Sequence, residues 1–253
     1  VVTQNLVRLL NAVEIGPDDL IASPLAAGES VRAQGERGLP VAVADIGAQT
    51  TGLALYTEGA IWQCDCLPLG GDAITRQMAH KLRLPLEVAE TLKRRYATCL
   101  PGEVADDDLI EMEPVSGSDE LLPAKLVAEA AADGAQELVT AVLSQLQRAQ
   151  RQGLRPALLL LTGGGAELGG LDSLLAGAVR TPTELVRPAG LIGAPPPLTR
   201  PAFAVATGLL RLGARQRLRA VRRRPPVKSA PFIIELRRLF AALAPGVAHA
   251  PRR

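Results

Sequence analysis

Val41-Ala42-Val43-Ala44-Asp45-Ile46-Gly47-Ala48-Gln49-Thr50-Thr51 is the stretch on which the fold turns. Its first four residues form a short apolar run that reads as a buried strand. The strand leaves through an acidic residue into a glycine-bearing turn. A second stretch, Leu158-Leu159-Leu160-Leu161-Thr162-Gly163-Gly164-Gly165, repeats the idea further along and is expected to enter a helix. Glycine lets backbone N–H groups approach an anion closely, and a helix N-terminus adds a favourable dipole. Either loop alone is a common feature; the pair, in this order and spacing, is a stronger sign of anion-approaching loops.

Working outward, residues 41–45, 52–57 and 60–67 read as a β-meander, with Thr57-Glu58-Gly59-Ala60 as its tight hairpin turn. Helices are expected over residues 4–15 and 25–34. Another should follow Gly70-Gly71-Asp72 as far as Leu82, with Asp72 as its N-cap. Pro85 opens a helix with Leu86, Ala89, Leu92 and Tyr96 on one face. Residues 101–118 are acidic and irregular, partly an edge strand. Residues 125–150 form a long helix with Leu126, Ala130, Leu138, Val142 and Leu146 near one stripe and a weak point at Asp133-Gly134. Strand, loop, helix, strand and helix then fill 157–212, the last helix starting at Thr199-Arg200-Pro201.

The chain has 253 residues, 47% of them apolar but only 2% aromatic, so Ala, Leu and Val must build its core. The shortage of aromatics argues against stacking-type binding of single-stranded nucleic acid. The net charge of +2 hides an asymmetry: residues 185–253 contain 14 Lys and Arg and a single acid, Glu235, while the preceding body is acidic. A basic tail on an acidic body predicts contact with an anionic surface. Three cysteines, Cys64, Cys66 and Cys99, make no disulfide framework and fit a reducing cytoplasm. Cys64-x-Cys66 is either a metal seed or, more simply, a pair of half-buried strand cysteines. No apolar run approaches the ~20 residues that span a bilayer. With two histidines, no Ser-His-Asp constellation is evident, and Asp106-Asp107-Asp108 reads as solvent-facing.

The tail has its own pattern. Phe232, Leu236, Leu239, Phe240 and Leu243 fall on one helical face, with Arg237 and Arg238 beside it. The preceding residues 213–230 read as a linker with seven Lys and Arg. An apolar stripe flanked by basic residues fits a helix lying in a membrane interface. A terminal helix docked on the body and a nucleic-acid arm are the other readings.

Several short motifs occur in order: Gln4-Asn5-Leu6-Val7, Pro24-Leu25-Ala26, Asp45-Ile46-Gly47-x-x-Thr50-Thr51, Pro68-Leu69-Gly70-Gly71-Asp72, Ala89-Glu90-x-Leu92-Lys93, Leu161-Thr162-Gly163-Gly164-Gly165, Arg187-Pro188-x-Gly190 and Pro201-x-Phe203-Ala204-x-Ala206-x-Gly208-Leu209-Leu210. This series resembles the bacterial cell-division family FtsA, of the actin-like ATPase superfamily. The resemblance implies an α/β, actin-like (ribonuclease-H-like) lobe with a small α+β subdomain inserted and an incomplete first lobe. Residues 1–40 would be the remnant of that first lobe, 41–72 and 156–212 the second-lobe core, 73–155 the inserted subdomain, 213–230 a basic linker and 231–244 a membrane helix. It implies a site for ATP with Mg, weakened or lost in this chain, with residual contacts from Asp45, Gly47, Thr50, Thr51, Gly163, Gly164 and Gly165. The membrane would be met by Phe232, Leu236, Arg237, Arg238, Leu239 and Phe240, anionic lipids by the two arginines. The partners implied are the C-terminal tail of FtsZ and further copies in a polymer, at the inner face of the cell membrane.

The chain departs from the family in four ways. It starts at Val1, without the stretch that carries the first phosphate loop. Ala48 and Gln49 stand where the family usually has glycine. No base to activate water is evident; Ser23 and Glu29 lie near the usual place, Glu29 reading as part of a solvated helix face. Gly134 stands where the resemblance expects an FtsZ-contacting Arg, with Lys93, Arg94 and Arg95 nearby. The alternatives are a pilus-assembly scaffold resembling PilM, or an actin-superfamily ATPase or sugar-kinase-type phosphotransferase.

Overall fold

A computed structural model describes residues 2–32, 38–112, 120–189, 193 and 195–223. The chain divides into a unit Val1–Leu212 and a unit Gly213–Arg253, of which residues 213–223 are helical. The membrane-helix residues Phe232, Leu236, Arg237, Arg238, Leu239 and Phe240 lie outside the described residues.

Two helices come first, α1 (Val2–Ala12) and α2 (Ser23–Val31). The meander follows as β1 (Val41–Ile46), β2 (Thr51–Thr57) and β3 (Ala60–Leu67). Its hairpin has Glu58 at φ 50° and Gly59 at φ 80°, both positive as a two-residue turn matching strand twist requires. Next come α3 (Gly71–Leu82), α4 (Leu86–Arg95), the small antiparallel pair β4 (Leu109–Met112) and β5 (Glu120–Pro123), and the long α5 (Ala124–Arg151). The chain returns as β6 (Leu158–Thr162), α6 (Leu171–Val179), β7 (Thr183–Leu185) and α7 (Ala204–Arg223).

Among the described residues the main sheet has the order β3-β2-β1-β6-β7. β1, β2 and β3 run antiparallel, while β6 and β7 join parallel to β1. The runs Val41–Ala44, Leu53–Leu55 and Leu158–Leu161 of the central strands are apolar because both faces of the sheet are covered. On one face Ala42, Ala44, Ile46, Leu53, Leu55, Leu159 and Leu161 meet Ile74, Met78, Leu138, Val142, Leu171 and Leu175 from α3, α5 and α6. On the other, Val41, Val43, Ala54, Tyr56 and Leu160 meet Ala27 and Val31 of α2 and Ala204 of α7.

Several local expectations change. Asp72 does not cap α3: Gly70 is the N-cap residue and no side chain bonds there. Leu86 and Tyr96 of the expected α4 face are exposed, whereas Ala89 and Leu92 are buried. Gly134 is no weak point. It is buried where α5 crosses α3, and a Cβ there would sit 3.1 Å from both Cα and O of Ile74. It faces the neighbouring helix, not solvent. Residues 213–223 are helical, because α7 continues through the first part of the expected linker. Cys64 and Cys66 are exposed on β3, not half-buried.

Candidate functional site

β1 and β6 are adjacent and parallel, so their C-terminal ends emerge side by side, each into its glycine loop. Ligands of α/β sheets collect at such ends. After β1 a four-residue turn is closed by the Gly47 N–H donating to Thr50 O at 2.9 Å. The carbonyls of Gly47 and Ala48 accept from the N–H groups of Gly71 and Asp72 at 2.9 and 2.7 Å. The loop itself thus satisfies the first amides of α3, a role that would otherwise fall to a capping side chain. Ala48 and Gln49 are exposed, and their N–H groups donate to no backbone carbonyl among the described residues.

The second loop is interlocked with the first. Gly163 has φ 89°, in the region that favours glycine, and a Cβ on it would lie 2.4 Å from Ile46 O and 2.6 Å from Asp45 Oδ1. A Cβ on Gly165 would meet Ile46 Cγ2 at 2.7 Å. The expected helix does not start here. Gly164–Glu167 is a 3-10 turn, and α6 begins only at Leu171.

Asp45 sits at the seam of the two loops. It is largely buried; its backbone pairs in the sheet, but no hydrogen bond or ion pair reaches its carboxylate among the described residues. Burial pushes its carboxyl from an ordinary 3.8 up to about 6. A largely buried carboxylate without a side-chain partner is costly to stability and suited to a hard cation.

A cleft of about 400 Å³ opens against both loops. Gly47, Ala48, Gly164 and Gly165 form one side and α4 the other. Among its lining residues Lys93, Arg94, Arg95 and Arg200 outnumber Asp72, Glu90 and Glu167 by one charge. Lys93 Nζ donates to Gly71 O at 2.9 Å and Thr75 Oγ1 at 2.6 Å, and pairs with Glu90 Oε2 at 2.7 Å. Burial pushes the Glu90 carboxyl up, but hydrogen bonds from Lys93 and Thr75 outweigh it and hold the group below its ordinary value. Arg200 forks onto Glu167, Nε to Oε1 at 3.2 Å and Nη2 to Oε2 at 2.7 Å.

Of the residues singled out from sequence, Gly47, Gly164 and Gly165 line this cleft, while Asp45 and Gly163 lie at the seam behind it. Thr50 is exposed on the turn. Thr51 is wholly buried, its hydroxyl donating to Leu69 O at 2.8 Å, so it ties β2 to the β3–α3 connection. Glu29 is not on a solvated face: its side chain is 17% exposed, and its carboxylate lies 3.9 Å from Arg211 of α7. Ser23 is exposed at the start of α2. The Glu90–Lys93 and Glu167–Arg200 pairs were not recognised as parts of the site. The spacing of Glu90 and Lys93 on one helix face was a usable signal; nothing local joins Glu167 to Arg200.

The model of the family "Cell division protein FtsA" matches residues 42–208, more than half of the chain. The chain belongs to the FtsA family. FtsA of Pseudomonas aeruginosa is 32% identical over 212 residues, covering 83% of this chain and 51% of that protein. FtsA of Escherichia coli K12 is 30% identical over 223 residues, covering 85% and 53%. The chain thus spans about half the length of the curated FtsA relatives it matches. Among solved structures, MreB5 of Spiroplasma citri bound to ADP superposes with a TM-score of 0.65 at 15% identity, over 87% of this chain and 67% of that one. The PilM-PilN type IV pilus biogenesis complex gives 0.62 at 24%, over 83% and 57%. At these identities the likeness shows the fold alone, and that fold is the actin-like α/β lobe expected of FtsA.

Proposed function

We propose that the chain acts as an FtsA-type adaptor that tethers FtsZ filaments to the inner face of the cytoplasmic membrane and retains a nucleotide site. Family membership over residues 42–208 carries this reading. ATP with Mg is compatible with the residues present: exposed Ala48 and Gln49 offer backbone donors, the cleft lining carries one excess positive charge, and Asp45 is an unpaired oxygen donor. Asp45, Gly47, Thr50, Gly163, Gly164 and Gly165 would hold the group, with Thr51 fixing the loop from beneath. Bound nucleotide would bring polyanionic charge to the seam and set the state of a polymer. The chain's own residues would orient it and neutralise part of its charge.

The membrane part rests on sequence pattern. Phe232, Leu236, Leu239 and Phe240 would enter the interface, each buried CH₂ contributing about 0.8 kcal/mol. Arg237 and Arg238 would meet anionic headgroups at roughly 1 kcal/mol each. Association of this size is reversible and weakens with salt. Among the described residues no helix is long and apolar enough to cross a membrane.

Co-sedimentation with phosphatidylglycerol vesicles tests the proposal, comparing the full chain with one ending at Pro231. Binding that depends on the tail supports the tether, and recruitment of FtsZ filaments to the same vesicles is the second step. Equal sedimentation of both forms, or of neither, refutes it.

A further inference from the structure

Among the described residues no Phe, Tyr or Trp lines the cleft, so a planar heterocycle entering it meets no aromatic ring from them. It finds guanidinium groups, and one of these is held in a particular way. Arg200 gives Nε and Nη2, one edge of its plane, to the two carboxylate oxygens of Glu167. Two in-plane bonds fix the orientation of that plane while leaving both of its faces free of hydrogen bonds. The same fork offsets the positive charge, which makes Arg200 a poor clamp for phosphate but leaves its planar surface available. Its side chain is 54% exposed, against 12% for Lys93, which is occupied by Gly71, Thr75 and Glu90.

The position agrees with this. Arg200 precedes Pro201, whose carbonyl accepts the Gly163 N–H at 3.1 Å, and Ala202, whose Cβ abuts Gly164. Arg200 is therefore tied to the second glycine loop, whereas the open amides belong to the first. A ligand touching both has an anionic end and a planar end.

We propose that Arg200 is the base-stacking residue of the cleft, and that Glu167 is a positioning residue that holds the guanidinium plane for the heterocycle of a nucleoside triphosphate. The inference rests on the nucleotide reading above and goes beyond it by assigning the base.

Calorimetric titration of the full chain with Mg·ATP and with Mg·tripolyphosphate, which lacks the base, tests both levels separately. Stacking of a base is typically worth a factor of about ten or more in affinity. Arg200→Ala is expected to weaken ATP by about that factor while tripolyphosphate stays within about twofold. Arg200→Lys keeps the charge but has no planar face, so it does not rescue. Glu167→Ala lowers the ratio of ATP to tripolyphosphate affinity, a readout that simple loss of stability would not move.

Equal losses for both ligands make Arg200 a phosphate contact and overturn the proposal. Unchanged ATP affinity reduces the pair to a surface ion pair and also overturns it. ATP binding no tighter than tripolyphosphate in the unmodified chain refutes base recognition but preserves the anion site. Binding of neither ligand removes the nucleotide reading itself.

Discussion

Replacing Asp45 by Asn should stabilise the protein at neutral pH. The carboxyl has an ordinary value of 3.8 when exposed and about 6 in the folded chain, because burial disfavours its charge. Below pH 3.8 both states are protonated and burial costs no charge. Between about 4 and 6 the unfolded chain releases its proton while the folded one retains it, so this group's contribution to stability falls as pH rises. The shift of about two pH units corresponds to about 3 kcal/mol, fully expressed above pH 7. Asn has nearly the same shape and no charge to desolvate. The variant should match the parent near pH 4 and exceed it by up to about 3 kcal/mol at pH 8. Urea unfolding followed by circular dichroism at pH 4.5, 6 and 8 reads this as a midpoint difference growing to about 1–2 M. Subtracting parent from variant cancels the other titrating groups. A difference independent of pH, or an Asn form less stable at pH 8, would show that a partner compensates the Asp45 charge and would refute the argument. The expected result makes Asp45 a group retained at a cost to stability, as a binding function requires.

Gly208→Ala would place a Cβ 1.7 Å from Ala26 O, where α7 crosses α2 backbone to backbone. Overpacking against backbone should cost about 3 kcal/mol or more in urea unfolding, and a loss below about 0.5 kcal/mol would contradict the crossing. Thr51→Val leaves Leu69 O without its donor and should cost about 1–3 kcal/mol, while Thr50→Val on the exposed turn should be nearly neutral. Lys93→Met removes the cation that holds Glu90 below its ordinary 4.5. The stability from ionised Glu90 is present above 4.5 and lost as pH falls through its lower folded value; in the variant NMR titration of Glu90 should show that loss moved to higher pH.

The meander and the long helix were legible because their signals are local. Val41–Ala44 and Leu158–Leu161 are continuous apolar runs of strand length, Glu58-Gly59 supplies the positive φ of a hairpin, and α5 repeats its apolar positions at helical spacing. The two glycine loops were visible for the same reason: each follows its strand directly. Their motifs also carried the resemblance that the family match confirms.

Tertiary structure decided what those loops and their neighbours do. The amides of Gly71 and Asp72 are satisfied by carbonyls of Gly47 and Ala48, so the capping role assigned to Asp72 lapses. Gly134 looks like a helix breaker in isolation, yet close packing on Ile74 explains a residue without a side chain there. Glu29 meets Arg211, and Glu167 meets Arg200, across separations no local pattern records. Hydrophobic period and turn chemistry act between residues a few positions apart, so a sequence displays them by itself. Which polar group is buried, and which partner compensates it, depends on surfaces that meet only after the sheet has assembled.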